Sequence, residues 1–215
     1  MNMKSKKLTA TAMFCAIAFV TVALGRIPVV LFLSYDPKDI VIALGGLIWG
    51  PLTACLISVV VSLIEMVTIS DTGVIGFIMN ILSTCSFACT ASYIYKKKRS
   101  LKGSIVGLVL GSIAMICIML LWNYLITPLY MNATRDEVVN LLLPVFLPFN
   151  LIKAGLNAGF TFLLYRPVIS ALRKSGFIEH STSRAPKKTS WGTVLVASVI
   201  IITCILFVLS FNGII

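Results

Sequence analysis

The sequence predicts an all-α integral membrane protein. Three observations carry that prediction. Of 215 residues, 59% are hydrophobic and only 12% charged, where a soluble domain carries roughly 25% charged residues. Mean hydropathy is +1.03, so most of the surface has no polar groups to offer water and its solvent is lipid. The charges that exist sit in short segments flanking apolar runs, which is a topology signal. The length suits one helical bundle.

Apolar runs of roughly 17–25 residues can cross a bilayer as helices. The first covers 8–24 and ends at Gly25, Arg26 and Pro28. A loop follows at 29–38 with Tyr35-Asp36-Pro37. A short apolar stretch at 39–49 stops at Gly50-Pro51, because proline disrupts a helix interior. Further spans lie at 52–69, 74–95 and 103–129. A turn holds Asp71 and Gly73, Lys96-Lys97-Lys98-Arg99 closes the fourth run, and a polar loop covers 130–140. A sixth span runs over 148–172, a basic linker over 175–190, and a last apolar run begins at Trp191.

Charge decides whether 39–69 is one helix or two. With two, 14 of the 18 basic residues fall on one side of the membrane. The positive-inside rule therefore selects seven segments, with the N-terminus cytoplasmic and the C-terminus outside. The second segment is too short to span upright, and is expected to be tilted, partly interfacial or packed against protein.

The net charge of +11 comes with no basic face carrying interleaved aromatics, so no nucleic-acid partner is expected. All six cysteines fall inside apolar runs and the single histidine, His180, lies in the linker; the cysteines read as small core residues. The N-terminal run has no small-residue cleavage site and reads as a first span, not a cleaved signal. No Ser-His-Asp set, metal-ligand cluster or phosphate loop is present, so neither catalysis nor a cofactor is expected. Energy for any uphill movement must come from another subunit.

Small residues recur every four positions: Ala12 and Ala16; Gly46 and Gly50; Gly103, Gly107 and Gly111; Gly155 and Gly159. Such ridges let helix backbones approach closely in lipid. Internal packing explains each pair, but the first span carries Ala10, Ala12, Ala16 and Ala18 and is smooth enough to serve an external partner.

Polar residues inside membrane helices need a partner or a purpose. At 1.5 Å per residue, Glu65, Asn80, Asn123 and Lys153 lie roughly 6–14 Å below the outer ends of four separate helices. Asn150, Lys153 and Asn157 share one helical face by their i, i+3, i+7 spacing. One reading is a polar seam between helices with a Lys153–Glu65 pair. The favoured one is a pocket for a ligand rich in hydrogen-bonding groups and poor in net charge. An acid-bearing ligand would demand a second buried cation, and Lys153 is the one the spans supply.

Three stretches carry a family resemblance. They are Tyr35-Asp36-Pro37-Lys38-Asp39-Ile40 with Gly45-Gly46-Leu47-Ile48-Trp49-Gly50-Pro51; Gly76-Phe77-Ile78-Met79-Asn80; and Leu147-Pro148-Phe149-Asn150-Leu151-Ile152-Lys153 with Thr161-Phe162-Leu163-Leu164-Tyr165. Over about residues 8 to 174 the chain resembles the substrate-binding S components of energy-coupling factor (ECF) vitamin transporters, in particular the riboflavin-specific ones.

The resemblance implies a six-helix S-component bundle at 1–174; the cytoplasmic linker at 175–190 and the additional C-terminal transmembrane helix at 191–215 are read from the charge and hydropathy pattern, and the latter departs from the family pattern. The resemblance also implies riboflavin as transported ligand, a transmembrane coupling subunit and two cytosolic ATPases as partners, and a component that tips over within the cell membrane. It implies ligand contacts from Asn123, Asn150 and Lys153, with the Asp36 loop, beside Tyr35, as lid. Glu65, Asn80 and Asn157 complete the candidate site, and Ala12 and Ala16 the docking face. An S component for another vitamin, and a membrane receptor without a transport role, remain as alternatives.

Overall fold

The computed structural model describes residues 3–31, 33–70, 72–178 and 191–211. Asp71 and most of the expected linker, 179–190, lie outside the described residues. The order is α1 (Met3–Gly25), β1 (Ile27–Val30), β2 (Leu33–Tyr35), α2 (Lys38–Trp49), α3 (Pro51–Thr68), α4 (Gly73–Lys97) and α5 (Leu101–Met131). Then come α6 (Arg135–Leu141), a π turn (Leu142–Phe146), α7 (Leu147–Lys174) and α8 (Trp191–Phe211). Among the described residues, five helical stretches are long and apolar enough to cross a membrane: α1, α3, α4, α5 and the run from Arg135 to Lys174.

The break expected at Gly50-Pro51 is present. Gly50 takes a positive φ of 101° and caps α2 through its N–H to the Gly46 carbonyl, while Pro51 opens α3. Glycine reaches that backbone region without penalty, and proline fits the first helical position, where its missing N–H has no intrahelical partner to lose. The short α2 is packed against protein. It is buried from Lys38 through Leu47, save Val41, among α1, α3, α4 and α7.

Two expected loops carry structure. Ile27–Val30 and Leu33–Tyr35 pair as an antiparallel hairpin, Ile27 with Tyr35 and Val30 with Leu33. The polar stretch 130–140 holds α6. Its start is a capping box: Glu137 N–H donates to Thr134 Oγ1 at 3.4 Å, and Thr134 N–H donates to Glu137 Oε2 at 2.9 Å.

The bundle has a hairpin end and a lysine end. At the lysine end Lys6 Nζ donates to the Gly176 carbonyl at 3.0 Å, joining the start of α1 to the end of α7. Tyr95 and Tyr165 share a hydroxyl–hydroxyl hydrogen bond of 2.6 Å, and Phe14 meets Trp49 edge to face at 5.3 Å. The glycine ridge of α5 serves internal packing. A Cβ on Gly107 or Gly111 would lie 2.7 or 2.6 Å from the carbonyl oxygens of Ala91 or Phe87 on α4. Gly155 and Gly159 likewise lie under Cys204 and Ile201 of α8.

The alanines of α1 divide by face. Ala10 and Ala18 are buried in the bundle, whereas Ala12 and Ala16 are exposed.

Candidate functional site

The polar residues of the hairpin end converge. Glu65, on α3, is fully buried and is the hub of one group. Its carboxylate accepts from Arg26 Nη2 at 2.7 Å and from Asn80 Nδ2 at 3.2 Å, and it also pairs with the Lys38 ammonium. Asp36, on the strand-to-helix turn, accepts from Arg26 Nε at 3.0 Å and lies 3.9 Å from Lys38 Nζ. The end of α1, the segment after the hairpin, α2, α3 and α4 are thus tied through one cluster of charges.

Asp39 is the hub of the second group. Thr84 Oγ1 on α4 donates to Asp39 Oδ1 at 2.6 Å, and Asn157 Nδ2 on α7 donates to Oδ2 at 3.2 Å. Lys153 Nζ lies 3.3 Å from the same Oδ2. Lys153 therefore pairs with Asp39, and the Lys153–Glu65 pair of the seam reading does not form. Glu65 is taken by Arg26 and Lys38, which flank the hairpin on its two sides.

Asn150, Lys153 and Asn157 are all buried along one face of α7, as their spacing requires. Asn150 Nδ2 donates to the Phe146 carbonyl at 2.8 Å. On α5, Asn123 Oδ1 accepts from Thr127 Oγ1 at 2.9 Å. Tyr35 is buried with Val29, Leu33, Phe146 and Phe149 in an apolar cluster under the hairpin. Burial, then the nearby Asp39 and Asp36 carboxylates, push its hydroxyl up, so Tyr35 stays a neutral donor.

Sequence reasoning missed Arg26, Lys38, Asp39 and Thr84. Lys38 corrects the count of buried cations: it has no exposed surface at all. The cluster holds three cations, Arg26, Lys38 and Lys153, against three acids, Asp36, Asp39 and Glu65. Its formal charge is zero. Neutrality, and not a shortage of cations, is what disfavours a charged ligand, since burying an unpaired charge is costly.

Several buried polar atoms in this region have no hydrogen-bond partner among the described residues: the Tyr35 hydroxyl, Asn123 Nδ2 and Asn157 Oδ1. Buried polar groups are nearly always satisfied, so such atoms mark places where another molecule bonds. Near Asn123, whose partner Thr127 lines it, a small open apolar cleft lies between α4 and α5, with Met79, Trp122 and Ile126 among its other walls. Trp122 lines it, while Phe149 belongs to the cluster under the hairpin.

The family model for the ECF transporter substrate-specific component matches residues 6–165. The chain belongs to that family; it is the substrate-binding component of an ECF transporter and not an enzyme. Its relatives include the riboflavin transporter RibU of Staphylococcus aureus, 30% identical over 81% of this chain and 96% of the relative. The riboflavin transporter FmnP of Bacillus subtilis is 32% identical over 70% of this chain and 85% of its own length. Among solved structures, an S component of a bacterial ECF transporter superposes with a TM-score of 0.67 at 30% identity, covering 79% of this chain and 99% of that one.

Proposed function

We propose that this chain captures riboflavin at its hairpin end and delivers it inward when coupled to a transmembrane subunit and two cytosolic ATPases. The observation that carries the reading is a charge-neutral cluster that still holds unpartnered amide and hydroxyl groups. Riboflavin has the matching chemistry: an apolar ring system, an imide edge and a polyhydroxyl chain, with no net charge. Curated relatives named as riboflavin transporters support the same ligand.

In this reading Asn150 and Lys153 meet the imide edge of the flavin. An asparagine both donates and accepts, while a lysine only donates. Asn123, Asn80 and Asn157 supply further amides, Glu65 and Asp36 hold the frame, and the hairpin with Tyr35 covers the ligand. Ala12 and Ala16, exposed on α1, form the docking face for the coupling subunit.

Lys153→Met keeps length and bulk while removing the donor. Riboflavin affinity, measured by quenching of flavin fluorescence, should fall at least about tenfold with the protein still folded. Unchanged affinity would take Lys153 out of the site. The charge distribution supports a cytoplasmic lysine end. A thiol probe that does not cross membranes should then label Asn132→Cys, and not Ser100→Cys, from outside; the opposite pattern inverts the orientation.

A further inference from the structure

Asp39 stands in the first turn of α2 with no exposed surface, and its two carboxylate oxygens are used differently. Oδ1 accepts the Thr84 hydroxyl at 2.6 Å, which holds the carboxylate against α4. Oδ2 faces α7, where it receives the Asn157 amide at 3.2 Å and lies 3.3 Å from the Lys153 ammonium. We infer that Asp39 is a positioning residue that sets the hydrogen-bonding sense of Lys153 and Asn157 toward the ligand; this rests on the riboflavin reading above.

The chemistry follows from the donor inventory. An ammonium has three N–H donors, so one given to Asp39 leaves others for a ligand and removes much of the freedom of a four-carbon stem. A carboxylate only accepts, so the Asn157 group facing it must be its NH₂. Asn157 Oδ1 is thereby left as an acceptor, and it is buried with no partner among the described residues. One acid thus fixes a donor from Lys153 and an acceptor from Asn157, side by side on α7. That pair complements a C=O next to an N–H, the arrangement at C4 and N3 of a flavin.

Asp39→Leu removes both acceptor oxygens. Nothing at position 39 then holds the Asn157 NH₂ or the Lys153 ammonium, and Asn157 is free to turn an N–H to where the ligand brings its own N–H.

The experiment titrates riboflavin and N3-methylriboflavin against the full chain, its D39L, N157L and K153M variants and the D39L/K153M double variant, reading flavin quenching. The wild type should prefer riboflavin. D39L should weaken riboflavin at least about tenfold and reduce the preference over the N3-methyl compound. In the double variant the second substitution should add less than it does alone, as expected of residues in one network. Equal weakening of both flavins in D39L, with the preference intact, would mean that Asp39 only holds helices together and would overturn the inference. No effect of K153M on riboflavin would instead sink the ligand reading beneath it. If D39L yields no folded protein, Asn157→Leu, which removes the acceptor that Asp39 fixes, must lower the same preference; an unchanged preference in that variant overturns the inference equally.

Discussion

The hairpin end of the bundle gathers three acids and three cations, all buried except the half-exposed Arg26, whereas the lysine end is joined by glycine faces, a tyrosine pair and an aromatic edge contact. Both ends are closely packed, but by different physics. Helices in lipid gain little from burying apolar surface against each other, so shape complementarity at small residues contributes most of the attraction. The lysine end follows that rule with Gly107 and Gly111 against the α4 backbone. Buried ions are a poor way to gain stability, because desolvation offsets their attraction. Their concentration at one end is therefore better explained by a task than by folding, and the unpartnered amides among them say what kind.

That contrast can be broken at Glu65, one of the two hubs of the charged cluster. Glu65→Leu strips Arg26, Lys38 and Asn80 of a shared acceptor. Removing one partner of a buried pair costs about 3–5 kcal/mol, and thermal unfolding in detergent should register it. Adding Lys38→Met should restore a large part of the loss, since an apolar pair of similar volume is often neutral or stabilising. A melting temperature insensitive to Glu65→Leu would show that the cluster is not a coupled unit. The smallest stability effect belongs to the outward face of α1. Ala12→Leu with Ala16→Leu adds bulk where nothing of the bundle lies, so stability should change by no more than about 0.5 kcal/mol. Riboflavin binding by the isolated chain should persist while uptake by the assembled transporter is lost. Loss of binding together with uptake would return those alanines to internal packing.

Much of the fold is legible in the sequence because its signals are one-dimensional. Span lengths, the Gly50-Pro51 break and the basic clusters each declare themselves within a few residues. So does the amide face of α7, from spacing alone. The helix α6 also carries a local signal inside what reads as a polar loop: Thr134 followed three residues later by Glu137, ahead of Val138 and Val139, is a capping box. Arg26, Lys38 and Asp39 are harder. A charge beside Pro28 or Pro37 reads as a solvated loop, and depth counting applies only inside a span. What buries Lys38 and Asp39 is the return of the chain through the hairpin into an α2 enclosed by other helices, a tertiary event with no local mark. The partner of Lys153 escapes sequence reasoning for the same reason, because Asp39 is not counted among the groups at its depth.

The equality of buried charges has an electrical side. Moving one elementary charge across a membrane potential of 100 mV involves about 2.3 kcal/mol. The six charged residues of the cluster have formal charges that sum to zero. A tilt of this region within the bilayer, empty or carrying an uncharged vitamin, moves no net charge from that cluster through the field. The voltage of the cell then neither drives nor resists the passage of the cluster, and in the proposed transport cycle the work of turning the component falls to the subunits that hydrolyse ATP.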